Sequence, residues 1–293
     1  MSYNERYGEY LKKSETALLT ACNACFKDGS KVSEAARYSL FAGGKRVRAV
    51  LCLASCEMLV GNLDIAAEYA AAIEMVHCAS LIHDDMPCID GDDYRRGQPS
   101  CHKKYGEANA MLAGDILQIA AFETLASSEA TPMQNLEAVK TLSAAFGARG
   151  VFYGEELDIF YENRGATENE LYEIHRNKTG KLINAAVQLG AIAADAFSED
   201  KTALERYAEA IGLVFQIVDD VLNVTSTQET LGKPIGSDAQ RGKTTFVTLL
   251  GVKDSMALAQ KLTNEACSAL EASFGDKSQF LCELARQLLN RNK

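Results

Sequence analysis

Between Ala66 and Asp85 the chain is apolar on nearly every side of the helix its composition predicts, and it ends on two adjacent aspartates. A helix apolar all round must be buried. Pro87 disfavours helix at Met86, so Asp84 and Asp85 are expected at a helix C-terminus, where the macrodipole is already partly negative. Crowded carboxylates there call for cations. The sequence continues MPCIDGDDYRRG, adding Asp90, Asp92 and Asp93, then Arg95 and Arg96. A second stretch, Tyr207 to Asn223 (YAEAIGLVFQIVDDVLN), repeats the design with Asp219 and Asp220. Two buried helices that each carry an aspartate pair predict a deep apolar cavity with acidic clusters on facing walls.

The rest of the chain reads as helix almost throughout. Apolar residues recur at three- and four-residue spacing, as in Leu136, Val139, Leu142, Phe146 and in Leu204, Tyr207, Ile211, Val214. Strand-like alternation is nearly absent. Turn signals are few: Asp28 to Ser30, Gly61-Asn62, Ser127 to Pro132, Asn163 to Gly165 and the polar stretch Thr225 to Gly242. No linker divides the 293 residues, of which 47% are hydrophobic. The expectation is one all-α domain over residues 1–293, a large bundle of roughly ten helices.

A formal charge of −10 argues against nucleic acid as the main partner. No apolar run reaches the ~18 residues of a membrane span without polar interruption. The start, MSYNERYGEYLKKSE, does not resemble a secretory signal. Cys22 and Cys25 form a C-x-x-C with no second pair at zinc-like spacing, so the nine cysteines read as thiols in a reducing cytoplasm.

Carboxylates without a His/Cys cluster suit Mg²⁺, which usually completes its shell with water and substrate phosphate. Basic residues for phosphate stand beside glycines and the aspartate pairs: Lys45, Arg46 and Arg48; Arg95 and Arg96; Lys178 and Lys181 around Thr179; Lys233 and Lys243. Together these features predict a helical pocket for a diphosphate ester with a hydrocarbon tail.

The order GGKRVR, HDDMPCIDGDDYRRG, GEANAMLAGDIL, KTGKL and FQIVDD resembles the trans-isoprenyl diphosphate synthases, the farnesyl and geranylgeranyl diphosphate synthase group, over essentially the whole chain. The resemblance implies an isoprenoid synthase bundle that condenses isopentenyl diphosphate with allylic diphosphates (dimethylallyl, geranyl or farnesyl) and yields a C15 or C20 product. It implies three Mg²⁺, with Mn²⁺ as a substitute, and a homodimer. Asp84, Asp85 and Asp90 match the first metal motif, D-D-x-x-x-x-D, whose intervening residues must bulge to bring Asp90 back. Asp219 matches the leading ligand of the second motif, assisted by Asp220. Arg95, Lys178 and Lys243 match the allylic diphosphate ligands. Lys45, Arg48, His77 and Arg96 match those of isopentenyl diphosphate. Thr179 and Gln216 match polar groups facing the developing cation. Asp92 and Asp93 are expected to orient the arginines, His83 to be structural, and Ala79, five residues before Asp84, to mark the floor of the tail channel.

Two positions depart from the family pattern. The second motif ends in Asn223 instead of Asp, and GEELD carries Glu155 where Gln is usual. These departures allow a noncatalytic partner subunit of a prenyl synthase. A class I terpene cyclase shares the first motif but would have Ser at position 223, and a pure lipid-binding module has no use for two acidic clusters.

Overall fold

The computed structural model describes residues 1–226 and 241–291, and among these the fold is all-α. Thirteen α-helices appear among the described residues where about ten were expected of the whole chain; the excess comes from short segments such as α5 (Cys101–Tyr105) and α9 (Glu168–His175). The only strands among the described residues are Tyr94–Arg95 and Gln98–Pro99. Lys233 and most of the polar stretch after Thr225 lie outside the described residues. The chain forms two compact units, residues 1–141 with 189–195, and residues 142–188 with 196–293.

In the first unit, α4 (Leu63–Asp84) is the central helix, packed by α1 (Tyr3–Cys25), α3 (Val47–Met58) and α6 (Glu107–Ala126). Asn62 starts it, its side-chain oxygen accepting from the N–H groups of Asp64 and Ile65 at 2.9 and 3.4 Å. Six buried alanines, Ala66, Ala67, Ala70, Ala71, Ala72 and Ala79, let neighbouring helices approach from several sides. Among the described residues α4 alone has the length and apolarity of a membrane span, but 72% of that window is buried inside the unit, so its apolarity supplies the core.

After Asp84 the chain folds back on itself. Met86 N–H bonds to the His83 carbonyl at 3.0 Å, Asp90 N–H to the Asp84 carbonyl at 2.8 Å, and Gly91 N–H to the Met86 carbonyl at 3.0 Å. This is the bulge expected of the first motif. A tight hairpin follows, with Tyr94 opposite Pro99 and Arg95 opposite Gln98. Its two turn residues, Arg96 and Gly97, both have positive φ (54° and 76°), the type I′ pattern that matches strand twist.

The second unit contains α8 (Val151–Tyr161), α9, most of α10 (Lys181–Ala193), α11 (Ser198–Thr225), α12 (Phe246–Phe274, kinked at Gly251) and α13 (Gln279–Leu289). Val214, Ile217, Val218, Leu222 and Phe246 form part of its core. A π-helical turn, Arg176–Gly180, joins α9 to α10 without a break. Such turns are uncommon and concentrate at functional sites. Here the turn is held by two glycines. A Cβ on Gly154 of α8 would lie 2.1 Å from the Lys178 amide nitrogen, and one on Gly212 of α11 would lie 2.8 Å from the Gly180 Cα.

Gly154→Ala is therefore expected to lower the melting temperature by several degrees, because backbone must move to admit one methyl group. Gly8→Ala, in the exposed middle of α1 with nothing within 4 Å of the new methyl, should raise it slightly. Thermal unfolding of both variants beside the parent checks the contrast.

Candidate functional site

In the first unit Asp85 is the C-cap residue of α4, its backbone N–H reaching the Leu81 carbonyl, and it is only 2% exposed. Arg95, carried back by the hairpin, donates from Nε at 2.8 and 2.9 Å and from Nη2 at 2.5 Å. Burial raises the Asp85 pKa, and the Arg95 hydrogen bonds and charge oppose that rise. Asp92 flanks the same guanidinium at 3.6 Å, as expected. Asp93 does not: it pairs with Lys103 at 2.9 Å, because the hairpin turns it away from the arginines. Asp84 and Asp90 are half-buried. His83 bonds the Met111 carbonyl at 3.1 Å, in the structural role expected.

A second group in this unit is basic. Arg48 Nη1 lies 3.0 Å from His77 Nε2. Guanidinium only donates, so His77 accepts through Nε2 and carries its proton on Nδ1. Burial, then the positive charges of Arg48 and Arg96, hold the His77 pKa well below its ordinary value. Burial also lowers Arg48 to about 10. Its Nε is buried without a hydrogen-bond partner. Arg96 donates to the Gly43 carbonyl and lies so close to Gly44 that a Cβ there would sit 2.8 Å from its guanidinium carbon. Lys45 is exposed beside them, its carbonyl held by the Tyr7 hydroxyl at 2.6 Å. An unpartnered donor among Lys45, Arg48 and Arg96 is suited to an anion.

In the second unit, Asp158 accepts from both Lys178 and Lys243 at 2.7 Å. Burial alone would raise its pKa, but the two ammonium groups outweigh it and hold the carboxyl far below the usual range. Glu155 adds a contact to Lys178 at 2.7 Å, so the Gln-to-Glu departure contributes an ion pair. The π turn also presents Thr179, whose hydroxyl donates to Gln216 Oε1 at 3.1 Å; Gln216 donates in turn to Asp220 Oδ1 at 3.0 Å. The other oxygen of Asp220 accepts from the Phe246 amide at 2.9 Å. Asp220 is thus engaged by protein donors on both oxygens and fixes Gln216. Asp219 Oδ1 is met by Arg291 at 3.2 Å, and Asn223 is buried, 2% exposed.

Within each unit the structure gathers most of the residues singled out by sequence. It does not gather a cation cage: among the described residues no three His, Cys, Asp or Glu side chains are grouped to hold a metal. The donor chemistry still fits Mg²⁺, which binds through one or two carboxylates and takes its remaining ligands from water and phosphate. Sequence reasoning missed Asp158 and Arg291. Asp158 lies three residues after Glu155, one helical turn along α8, which was a usable signal; Arg291 stands in the terminal LLNRNK, which shares the family resemblance but has no spacing that ties it to Asp219.

A family model described as polyprenyl synthetase matches residues 30–281. The chain belongs to the polyprenyl synthetase family. A chloroplastic geranylgeranyl pyrophosphate synthase from Capsicum annuum is 44% identical over 269 residues, covering 91% of this chain and 73% of that one. The large subunit 2 of a heterodimeric geranylgeranyl pyrophosphate synthase from Arabidopsis thaliana is 41% identical, covering 90% and 71%. Among solved structures, a Helicobacter pylori geranyltransferase complexed with magnesium and isoprenyl diphosphate superposes with a TM-score of 0.85 at 33% identity, covering 97% of this chain and 96% of that one. This polyprenyl synthetase is a prenyltransferase.

His175, buried and stacked on Phe246, has its pKa lowered to about 4, chiefly by burial, and its Nε2 has no partner. A depressed histidine adds stability that is complete above the unfolded value near 6.5 and is lost as pH falls toward 4. The stability of this synthase should accordingly fall between pH 6.5 and 4, by up to about 3 kcal/mol from this residue. Urea midpoints across that range should show a shallower decline for His175→Gln than for the parent; equal slopes would count against the assignment.

Proposed function

We propose that this chain joins isopentenyl diphosphate to dimethylallyl, geranyl and farnesyl diphosphate, with geranylgeranyl diphosphate as end product. The observation that carries the reading is the buried, unpartnered Nε of Arg48, set among Lys45, His77 and Arg96 on the unit that carries the first aspartate motif. These four residues hold the isopentenyl diphosphate. Lys178, Lys243 and Arg95 hold the allylic diphosphate, exchanging Asp158 and Asp85 for substrate oxygens.

Asp84, Asp85, Asp90 and Asp219 would hold Mg²⁺, three ions in all, with Mn²⁺ as a substitute. Bound there, the metal would supply positive charge that neutralises the diphosphate and favours its departure. The allylic C–O bond breaks, the electron pair leaving with pyrophosphate. The double bond of isopentenyl diphosphate supplies the pair for the new C–C bond, and the adjacent proton passes to the departing pyrophosphate. Thr179 and Gln216 turn oxygen atoms toward the developing cation, with Gln216 fixed by Asp220.

We place the chain in a reducing compartment, the cytoplasm in an organism without plastids, because all nine cysteines are free. We also propose a homodimer, since α6 exposes Met111, Leu112 and Ile119, the last at 69%. One catalytic domain spans residues 1–293.

Asp84→Ala should lower kcat/KM at least about 10³-fold, roughly 4 kcal/mol of transition-state stabilisation, measured as pyrophosphate release from mixed allylic and isopentenyl diphosphates. Near-normal turnover would falsify the metal assignment.

For chain length the helix geometry revises one expectation. At 100° per residue, Ala79 lies 140° around α4 from Asp84, and it is fully buried. Ser80 lies only 40° away and is half-buried, on the face shared by His77, Leu81 and Asp84. The growing tail, if it runs along that face, meets Ser80 about 6 Å below the motif. Ser80→Phe should shift the product from C20 toward C15, while Ala79→Tyr should destabilise the fold by overpacking. Product chromatography with labelled isopentenyl diphosphate checks this, and a C20 product from an active Ser80→Phe enzyme would refute it.

A further inference from the structure

The loop that carries Lys45 and Arg48 is awkwardly built. Gly43, Gly44 and Arg46 all have positive φ, the last at 50°. For a residue with a long side chain this left-handed conformation is uncommon and must be held by its surroundings. Arg46 is also the N-cap of α3, yet its side chain makes no capping bond.

Its guanidinium is instead buried, 1% exposed, and binds three other helices. Nε donates to Glu15 of α1 at 2.7 Å, Nη1 to Glu74 of α4 at 3.4 Å, and Nη2 to the carbonyl of Leu40 at 2.6 Å, the last residue of α2 (Lys31–Leu40). Glu74, itself 2% exposed, uses its other oxygen to accept from the Ala49 amide at 3.2 Å. Ala49 is in the first turn of α3, so the missing cap is supplied from α4. One turn further along α4, His77 takes Arg48 at 3.0 Å. Two successive turns of α4 therefore fix the loop: Glu74 through Arg46 and Ala49, His77 through Arg48.

A buried ion pair is a weak source of stability, since desolvation offsets most of the attraction and an apolar pair of similar volume is often as stable. It is a strong source of geometric definition. We infer that the buried Arg46–Glu74 pair, with Glu15, consists of positioning residues that set Lys45 and Arg48 for the non-allylic diphosphate, so that its loss weakens isopentenyl diphosphate selectively. The inference rests on the function proposed above. It predicts a division between substrates that a merely structural pair would not produce, because every contact it uses leads to the loop and none to Lys178, Lys243 or Arg95.

The test is a comparison of the parent with Glu74→Gln, with the double variant Arg46→Met/Glu74→Met, and with Glu15→Gln, whose side chain is 42% exposed in the parent and so leaves the fold least disturbed. Isopentenyl diphosphate binding is read by calorimetry without allylic substrate, and KM for each substrate from steady-state rates. The expected result is a rise of about tenfold or more in Kd and KM for isopentenyl diphosphate in Glu74→Gln and in the Met/Met variant, and a smaller rise in Glu15→Gln. The allylic KM should change less than about twofold in each folded variant. Folded variants that bind isopentenyl diphosphate like the parent, or that lose both substrates equally, overturn the positioning role and leave the proposed function standing. A parent that neither binds nor consumes isopentenyl diphosphate overturns the proposed function, and the positioning role falls with it.

Discussion

A carboxylate at the C-terminal end of a buried helix faces the negative pole of the dipole and has lost much of its water, so it must be met by a cation. Asp85 and Arg95 are that arrangement in its simplest form, and the hairpin after α4 gains its significance from it. The turn at Arg96-Gly97 reverses the chain so that Arg95 returns to the residue it must neutralise. The same bargain recurs in the second unit. Asp158 is met by Lys178 and Lys243, and Asp219 by Arg291. Asp85, Asp158 and Asp219 are each stored with a counter-ion drawn from the protein itself.

That storage explains how so acidic a chain can hold a site for a highly charged anion. The lysines do not wait as bare charges; they wait on Asp158, whose carboxyl they hold far below the usual range. A diphosphate entering the site competes with a carboxylate already well satisfied, which favours ligands of higher charge than a single carboxylate. Arg48 differs. Its buried Nε lies beside a neutral histidine and has no partner, so a diphosphate there would gain contacts without displacing an acid.

The fold class was legible because the chain carries its signal locally: three- and four-residue apolar spacing, sparse turn signals and two largely apolar segments that each carry an aspartate pair. The bulge that returns Asp90 could be read from Pro87 and from the number of residues in the motif. The partners were less legible. Asp93 was expected to serve the arginines and serves Lys103, because a hairpin turn decides which way each side chain leaves the backbone. Ala79 and Ser80 are adjacent in sequence but lie 100° apart on α4, so counting residues from Asp84 did not distinguish buried from half-buried. Arg291 meets Asp219 across 72 residues of chain, a pairing that only the tertiary fold creates. Arg46 was read as one more member of a basic cluster, yet burial separates it from Lys45 and Arg48, with which it shares a run of four residues.

The π turn at Arg176–Gly180 has a consequence for how this chain can vary. A π turn is an α-helix with one residue added, so α9 and α10 are a single helix whose two halves are offset. Deleting one residue from the turn would leave a continuous helix and disturb little of its hydrogen bonding. The wide turn absorbs the extra residue, so Leu182, Ile183 and Ala186 downstream would keep their buried faces, but the backbone that Gly154 and Gly212 admit at Lys178 and Gly180 would be drawn in. An ordinary surface loop absorbs a change of length without trace, whereas here it would be felt at Lys178 and Thr179 themselves. Among descendants of such a sequence, residues 176–180 should be free to exchange side chains at Arg176 and Asn177 while the count of five stays fixed.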